Sequence, residues 1–401
     1  MSSFLLTHIC KSVVIAIKLY AWREEIVCNI GEFELNNQKT IIIVTLLVVI
    51  IAGGAYHISR NQGTPEETTQ YITVTDCLDR TVQIETPIEK IIFTGRGSAL
   101  TLSVAYLFDT APEKIIGVSD SFAESTLFSL VDSSISEKVV EGASDMGVEE
   151  IAAQEPDVVV LKSYLKSGVG DPLESLGVKV VYLDLENLDQ YTRDVETMGA
   201  LMEEPEKAEA IIEYYQSTYT EVETRHTTTT DAPSVLFLYY NTKGGTASFM
   251  SPGADWLQTV VTQTAGGDPL SLELEGTGWN NVNMEQIAEW NPKIIFIVTY
   301  KPDPSCMDVE NLIKSDDVWQ NIDAVENDRV YSVPDDCFGT DTVGSWDTSG
   351  SRWILCLRWM EAKISGDDTG LTEDIREFYV DLYGLSVSEA EALMESIVGD
   401  I

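Results

Sequence analysis

Basic residues are scarce in this 401-residue sequence: 25 Lys and Arg stand against 66 Asp and Glu, a formal net charge of −41. So few cations exclude nucleic acid as a partner, because phosphates demand the opposite sign. The acids are spread along the chain and not gathered in a tail, which suits a well-solvated, monomeric exterior. Histidine is scarcer still, with only His8, His57 and His226. That supply supports no Ser-His-Asp set. It also leaves a bare zinc or manganese site without its usual His and carboxylate ligands. None of the six cysteines has C-x-x-C spacing, so no zinc site is expected. With no catalytic constellation in view, neither an enzyme nor a built-in cofactor is expected.

Apolar residues, in contrast, make up 44% of the chain. The run "IIIVTLLVVIIAGGA", Ile41 to Ala55, carries no charge and lies between Lys39 and Arg60. Extended over residues 40–57 it approaches the length of a spanning helix. It reads either as an uncleaved membrane anchor, the preferred reading, or as the apolar core of a cleaved signal segment with Gly53 and Ala55 placed for cleavage. No Cys closes it, so a lipoprotein anchor is not expected. Residues 1–39 are expected to be a leader outside the working protein, with the true start near Leu35. Residues 58–70, containing "NQGTPEETTQ", form a polar tether. The soluble part would then lie outside the cytoplasm, where Cys306 and Cys337 are the expected disulfide pair among Cys77, Cys306, Cys337 and Cys356.

Beyond the tether, "YITVTDCLDRTVQIE" alternates like a hairpin turning at Asp79. Short apolar runs then alternate with helical periods: "EKIIFTG", "KIIGVSD", 157–161 and 179–183 as strands. Such a rhythm predicts a parallel sheet covered on both faces. From Leu188 to Arg225 only helical spacing is found, so one long helix, or two end to end at Pro205, is expected to span roughly 50 Å at about 1.5 Å per residue. The α/β rhythm resumes with "SVLFLYY" and "KIIFIV" and ends in three helices. The fold class is therefore α/β: two doubly wound lobes, 71–186 and 227–401, bridged by a rigid helix over 187–226, with a cleft between them.

One passage occurs twice. "EEIAAQEPDVVVLKSY" (Glu149–Tyr164) and "EQIAEWNPKIIFIVTY" (Glu285–Tyr300) superpose without a gap at an offset of 136 positions. Each is a helix–Pro–strand unit opening on a glutamate. An acid in a first helical turn is stabilised by the helix dipole by about 0.3–1 kcal/mol. Glu150, next door, would serve that purpose equally well.

Six motifs in order, "VTDCLDRTVQIETPIEKIIFTG", "VEEIAAQEPDVVVL", "AGGDPLS", "VNMEQIAEWNPKIIFI", "NIDAVENDRVYSVP" and "EFYVDLYGLSVSEAEALM", resemble the substrate-binding proteins of ABC importers for iron–siderophore, haem and cobalamin chelates. The resemblance covers about Tyr71 to Ile397. It departs at Asp79, where the family usually has Gly before the Arg. It implies two lobes joined by a long helix, a metal chelate held between them, and delivery to an ABC permease homodimer with its ATPase. It also implies that Glu149 and Glu285 dock onto that two-fold permease. A ferric siderophore is the first expectation, haem or a corrinoid the next. An oxyanion such as molybdate, or a surface-anchored sensor of the same fold without transport, is the alternative.

Ligands of open α/β sheets sit at the carboxyl ends of strands. That rule nominates Arg96 in "TGRGS", Lys162 and Tyr164 after the strand at 157–161, and Tyr239 and Tyr240, with Asn241 and Lys243, after the first strand of the second lobe. One tyrosine of the 239/240 pair is expected in the core by alternation. Trp279 and Trp346 lie in Gly-rich polar stretches and are nominated as aromatic cleft residues. Arg352 is placed at the cleft mouth.

Overall fold

The computed structural model describes residues 70–140, 146–227, 231–242, 247–337 and 344–401. The chain divides into two units at Thr68–Thr69. Everything below concerns the second. The expected leader, the expected membrane segment, the expected tether but for its last residue Gln70, His57 and Lys243 lie outside the described residues. Among the described residues no helix is long and apolar enough to cross a membrane.

The hairpin forms as read: β1 (Gln70–Thr75) pairs antiparallel with β2 (Thr81–Thr86), and Asp79 takes the left-handed turn position at φ 57°. Next come β3 (Ile91–Phe93), β4 (Val158–Lys162) and β5 (Val180–Leu183), a three-stranded parallel sheet in the order β3-β4-β5. Every residue of β4 is buried, because helices cover both faces. "KIIGVSD" is not a ladder strand; it makes only isolated bridges, Ile91 to Ile115 and Val118 to Val139. Around this sheet lie α1 (Ser98–Ala105), α2 (Thr126–Val131) and α3 (Val148–Ala153).

The second sheet has six strands: β6 (Ser234–Asn241), β7 (Ser248–Pro252), β8 (Asp268–Pro269), β9 (Trp279–Val282), β10 (Ile294–Val298) and β11 (Val330–Ser332). Its spine, β11-β10-β6, is parallel, whereas β7 and β9 extend it antiparallel. This antiparallel extension has no counterpart in the first sheet, and the half-polar strand "WNNV" gave no apolar run to announce it.

The helical stretch in the middle differs from expectation. It comprises α4 (Leu188–Met202) and α5 (Pro205–His226), and the chain reverses between them at Glu203, φ 61°, and Pro205. The two helices fold back on each other: Tyr191 and Tyr215 stack at 4.5 Å, and Gln216 donates to Thr192 at 3.2 Å. Gly199 faces Ala208 so closely that an added Cβ would lie 2.4 Å from it. An extended span of about 50 Å, whether one helix or two end to end, is thus replaced by a hairpin, and α5, 22 residues or about 33 Å, is its longer arm. Near the start of α5 the Glu204 carboxylate accepts from Thr110 N at 2.7 Å; at its end His226 meets Glu361 at 2.9 Å.

The C-terminal half adds α6 (Leu257–Thr264), α7 (Met284–Trp290), α8 (Cys306–Ser315), α9 (Trp353–Ser365), α10 (Leu371–Asp381) and α11 (Val387–Ser396). One hydrophobic core runs unbroken from Val74 through Tyr215 and Trp353 to Leu393. Separate smaller cores cover the far face of each sheet, around Val159 and Leu173 in one and Leu238 and Ile297 in the other. The tail reaches back to the first half: Tyr383 donates to the Ser103 carbonyl at 3.1 Å and packs on Phe128.

Candidate functional site

A cavity of about 770 Å³ opens between the carboxyl ends of the two sheets. One wall comes from the first half. Arg96 follows β3, flanked by Gly95 and Gly97 at φ 79° and 84°, a backbone that side chains other than glycine rarely adopt. Lys162 is the last residue of β4, Tyr164 lies in the turn beyond, and Glu186 follows β5. Tyr164 donates to the Arg96 carbonyl at 2.5 Å, which ties the glycine turn to the strand-end turn. Lys162 is buried, and its ammonium pairs with Glu186 at 2.6 Å.

The other wall is aromatic. Trp256 and Trp279 meet edge to face with centroids 5.4 Å apart, and Tyr300 lies 6.0 Å from Trp279. Trp279 begins β9 and is fixed by the ladder, not carried on a loop. Tyr300 follows β10 at φ 52° and donates to Asp347 at 2.5 Å. Gln258, near the start of α6, donates to the same carboxylate at 2.9 Å, and Ser345 donates to its other oxygen. Burial pushes the Asp347 carboxyl up, against the pull of these three donors. Burial, then the Asp347 charge, hold the Tyr300 phenol well above its ordinary range, so it stays a donor.

The nominated residues therefore divide. Arg96, Lys162, Tyr164 and Trp279 converge on the cavity. Tyr239 stands behind it, 5.1 Å from Trp279 and 5.0 Å from Tyr300, and stiffens the aromatic wall. Tyr240 is the core member of its pair, packed edge to face on Phe249. Trp346 is fully buried, its backbone N–H bonded to the Pro334 carbonyl, because its loop folds inward. Arg352 is buried as well. It pairs with Asp336 at 3.0 Å and lies over the Phe128 ring, far from a mouth position. Cys306 and Cys337 form no disulfide: Cys337 Sγ lies 2.8 Å from Ser125 Oγ, and Cys306 Sγ faces the Val333 carbonyl.

Tyr300, Trp256 and Gln258 were missed by the sequence reading. For Tyr300 a signal existed, since the repeat aligns it with Tyr164 and both end a strand. Trp256 follows β7, an antiparallel strand that no alternation announced. Glu149 and Glu285 are exposed in the first turns of α3 and α7, and among the described residues neither has an ion-pair partner.

The sequence profile described as periplasmic binding protein matches residues 99–337. Vitamin B12-binding proteins align with the chain: that of Salmonella choleraesuis strain SC-B67 is 25% identical over 153 residues, 38% of this chain and 55% of the relative. That of Yersinia pestis strain Pestoides F is 24% identical over 153 residues, 52% of its length. The alignment thus spans about half the length of these curated relatives. Among solved structures, a periplasmic solute-binding protein from Veillonella parvula DSM 2008 superposes with a TM-score of 0.66 at 26% identity, covering 81% of this chain and 97% of that one. The molybdate-bound periplasmic binding protein MolA of Haemophilus influenzae gives 0.62 at 18% identity, covering 79% and 98%. Helicobacter pylori CeuE with Ni(II) bound gives 0.61 at 18% identity, covering 80% and 99%. The last two show a shared fold.

Proposed function

This chain belongs to the periplasmic binding protein family, and from that premise we propose that it captures a metal already held in a chelate outside the cytoplasm and delivers it to an ABC permease homodimer with its ATPase. A ferric siderophore is the leading ligand class, with haem or a corrinoid next.

The observation that carries this reading is the cavity: about 770 Å³, lined by four aromatic rings and a few polar groups. That is the size and lining of a site for a bulky organic ligand. A bare cation calls instead for a tight cage of convergent imidazoles and carboxylates. Molybdate would leave most of the volume to water. Arg96, Lys162, Tyr164, Trp256, Trp279 and Tyr300 are proposed as ligand-contacting residues. Glu149 and Glu285, exposed at equivalent places in the repeat, are proposed to hold the permease, because a two-fold partner is matched by two equivalent acids.

The test uses the full chain. Purified from its own host, it is expected to carry a ligand with a distinct mass in native mass spectrometry and a visible absorption band. Stripped of ligand, it is titrated with cyanocobalamin, haemin and ferric siderophores while tryptophan emission is followed. Saturable quenching is expected, because Trp256 and Trp279 line the cavity. Unchanged emission with every chelate would sink the reading.

A further inference from the structure

The cleft carries an unusual charge balance. Lys162 and Glu186 neutralise one another at 2.6 Å. Three exposed charges then remain on its lining: the Arg96 cation on one wall, and the Asp255 and Glu275 carboxylates on the other. Among the described residues none of the three has an ion-pair partner. Both acids flank the aromatic wall directly: Asp255 precedes Trp256, and Glu275 lies in the segment leading to Trp279. A ligand lying on Trp256 and Trp279 is thus bordered by two carboxylates and faces a single free guanidinium.

We infer that the cleft selects chelates of near-zero net charge and rejects polyanionic ones. This rests on the chelate reading above and narrows it. The reason is local electrostatics. Charges within a Debye length, about 8 Å at physiological ionic strength, act on a bound ligand with little screening. A trianionic complex gains one attraction and meets two repulsions, while a neutral complex loses nothing and keeps the full aromatic contact. The net charge of −41 acts in the same direction at longer range, slowing the approach of polyanions at low salt. Asp347 lies beneath the same floor, held by Tyr300 and Gln258, and adds no positive charge.

The full-length chain is titrated near neutral pH with four probes, read by tryptophan quenching. Two are uncharged overall, cyanocobalamin and a ferric trihydroxamate. Two are anions, a ferric tris-catecholate trianion and molybdate. At least one uncharged chelate is expected to bind about tenfold or more tighter than either anion. The double variant Asp255→Asn with Glu275→Gln is expected to bind the trianion at least about fivefold better, a gain larger than any change in its affinity for the uncharged chelate. Added salt should likewise improve trianion binding to the parent by screening the repulsion. A trianion that binds tightest, or a double variant with unchanged trianion affinity, overturns the inference while leaving the chelate reading in place; molybdate that binds tightest overturns both. Failure of all four probes to bind overturns the chelate reading itself.

Discussion

Glu149–Tyr164 and Glu285–Tyr300 are the same unit in two settings. Both run from a short helix through a left-handed residue and a proline into a fully buried parallel strand. Equivalent positions do equivalent backbone work: Glu155 at φ 51° and Asn291 at φ 43° end the two helices ahead of Pro156 and Pro292. Both units end with a tyrosine on the cleft. The side chains diverge there. Tyr164 is exposed and bonds a backbone carbonyl, whereas Tyr300 is half-buried and bonds the buried Asp347 carboxylate. The strand end places the ring; the neighbours brought by the rest of the fold decide its chemistry. In the second half those neighbours include the antiparallel strands β7 and β9, which bring Trp256 and Trp279 and have no counterpart in the first.

The largest effect is expected where the two copies act together. Glu149→Ala combined with Glu285→Ala should abolish transport in an uptake assay, with each single change giving a partial loss. Affinity of the purified chain for its chelate should stay unchanged, because both acids lie on exposed helix turns away from the lined cavity. A double variant that binds ligand more weakly would move these residues into the cleft and remove the docking assignment.

Tyr300→Phe and Tyr164→Phe test the divergence of the strand ends. Losing the Tyr300 hydroxyl strips a donor from a buried carboxylate and should cost about 2 kcal/mol in denaturant unfolding. The same change at Tyr164 should cost under about 0.5 kcal/mol, because its hydroxyl is accessible to water. Equal costs would show that the two tyrosines are equivalent after all.

The second copy also ends beside a small buried space lined by Tyr300, Ser345 and Asp335. Burial, then the neighbouring Asp336 charge, push the Asp335 carboxyl up to about 7, against the pull of the Cys337 backbone N–H. Between the ordinary Asp value of 3.8 and 7 the folded chain keeps a proton that the unfolded chain has released. Stability should therefore fall as pH rises through that window and level off above it, by about 1–2 kcal/mol once partial exposure is allowed for. Asp335→Asn should flatten this slope in thermal melts across the window. A slope unchanged in the variant would assign it to another group.

The smallest effect concerns the two helix ends. Asparagine tolerates the left-handed conformation and glutamate does not. Glu155→Gly should raise stability by about 0.5–1 kcal/mol. Asn291→Gly should not, because Asn291 also exchanges two hydrogen bonds with Asp323, at 2.8 and 2.9 Å. Urea midpoints of the two variants give the comparison.

The parallel strands were legible because burial on both faces writes a continuous apolar run, as in "VVVL" and "IIFIV". The strand-end rule then found Arg96, Lys162 and Tyr164 in the cleft. The same rule, applied with the repeat in view, would have added Tyr300. Trp346 and Arg352 were misplaced for one reason. Polar, Gly-rich context usually marks a surface loop, but this stretch folds inward, and Asp336 awaits the Arg352 charge in the interior. No local pattern announces a partner that distant in sequence. The helical stretch failed differently: periodicity reports a helix and its buried face, whereas the reversal at Glu203 follows from packing Tyr191 on Tyr215.

By itself, then, the sequence determined the α/β class, the repeated unit, the family and the chain's acidity. Each is written in local composition or spacing, which the backbone must obey wherever it goes. Only the tertiary structure decided which aromatic rings face the cleft, which buried charges are paired, and that the two central helices fold back on each other instead of running end to end. These depend on contacts that no local pattern announces, from Tyr191 with Tyr215 and Asp336 with Arg352 to more distant pairs such as Ser103 with Tyr383 and Tyr215 with Ser351. Burial and pairing energies accumulate there only once the chain has closed upon itself.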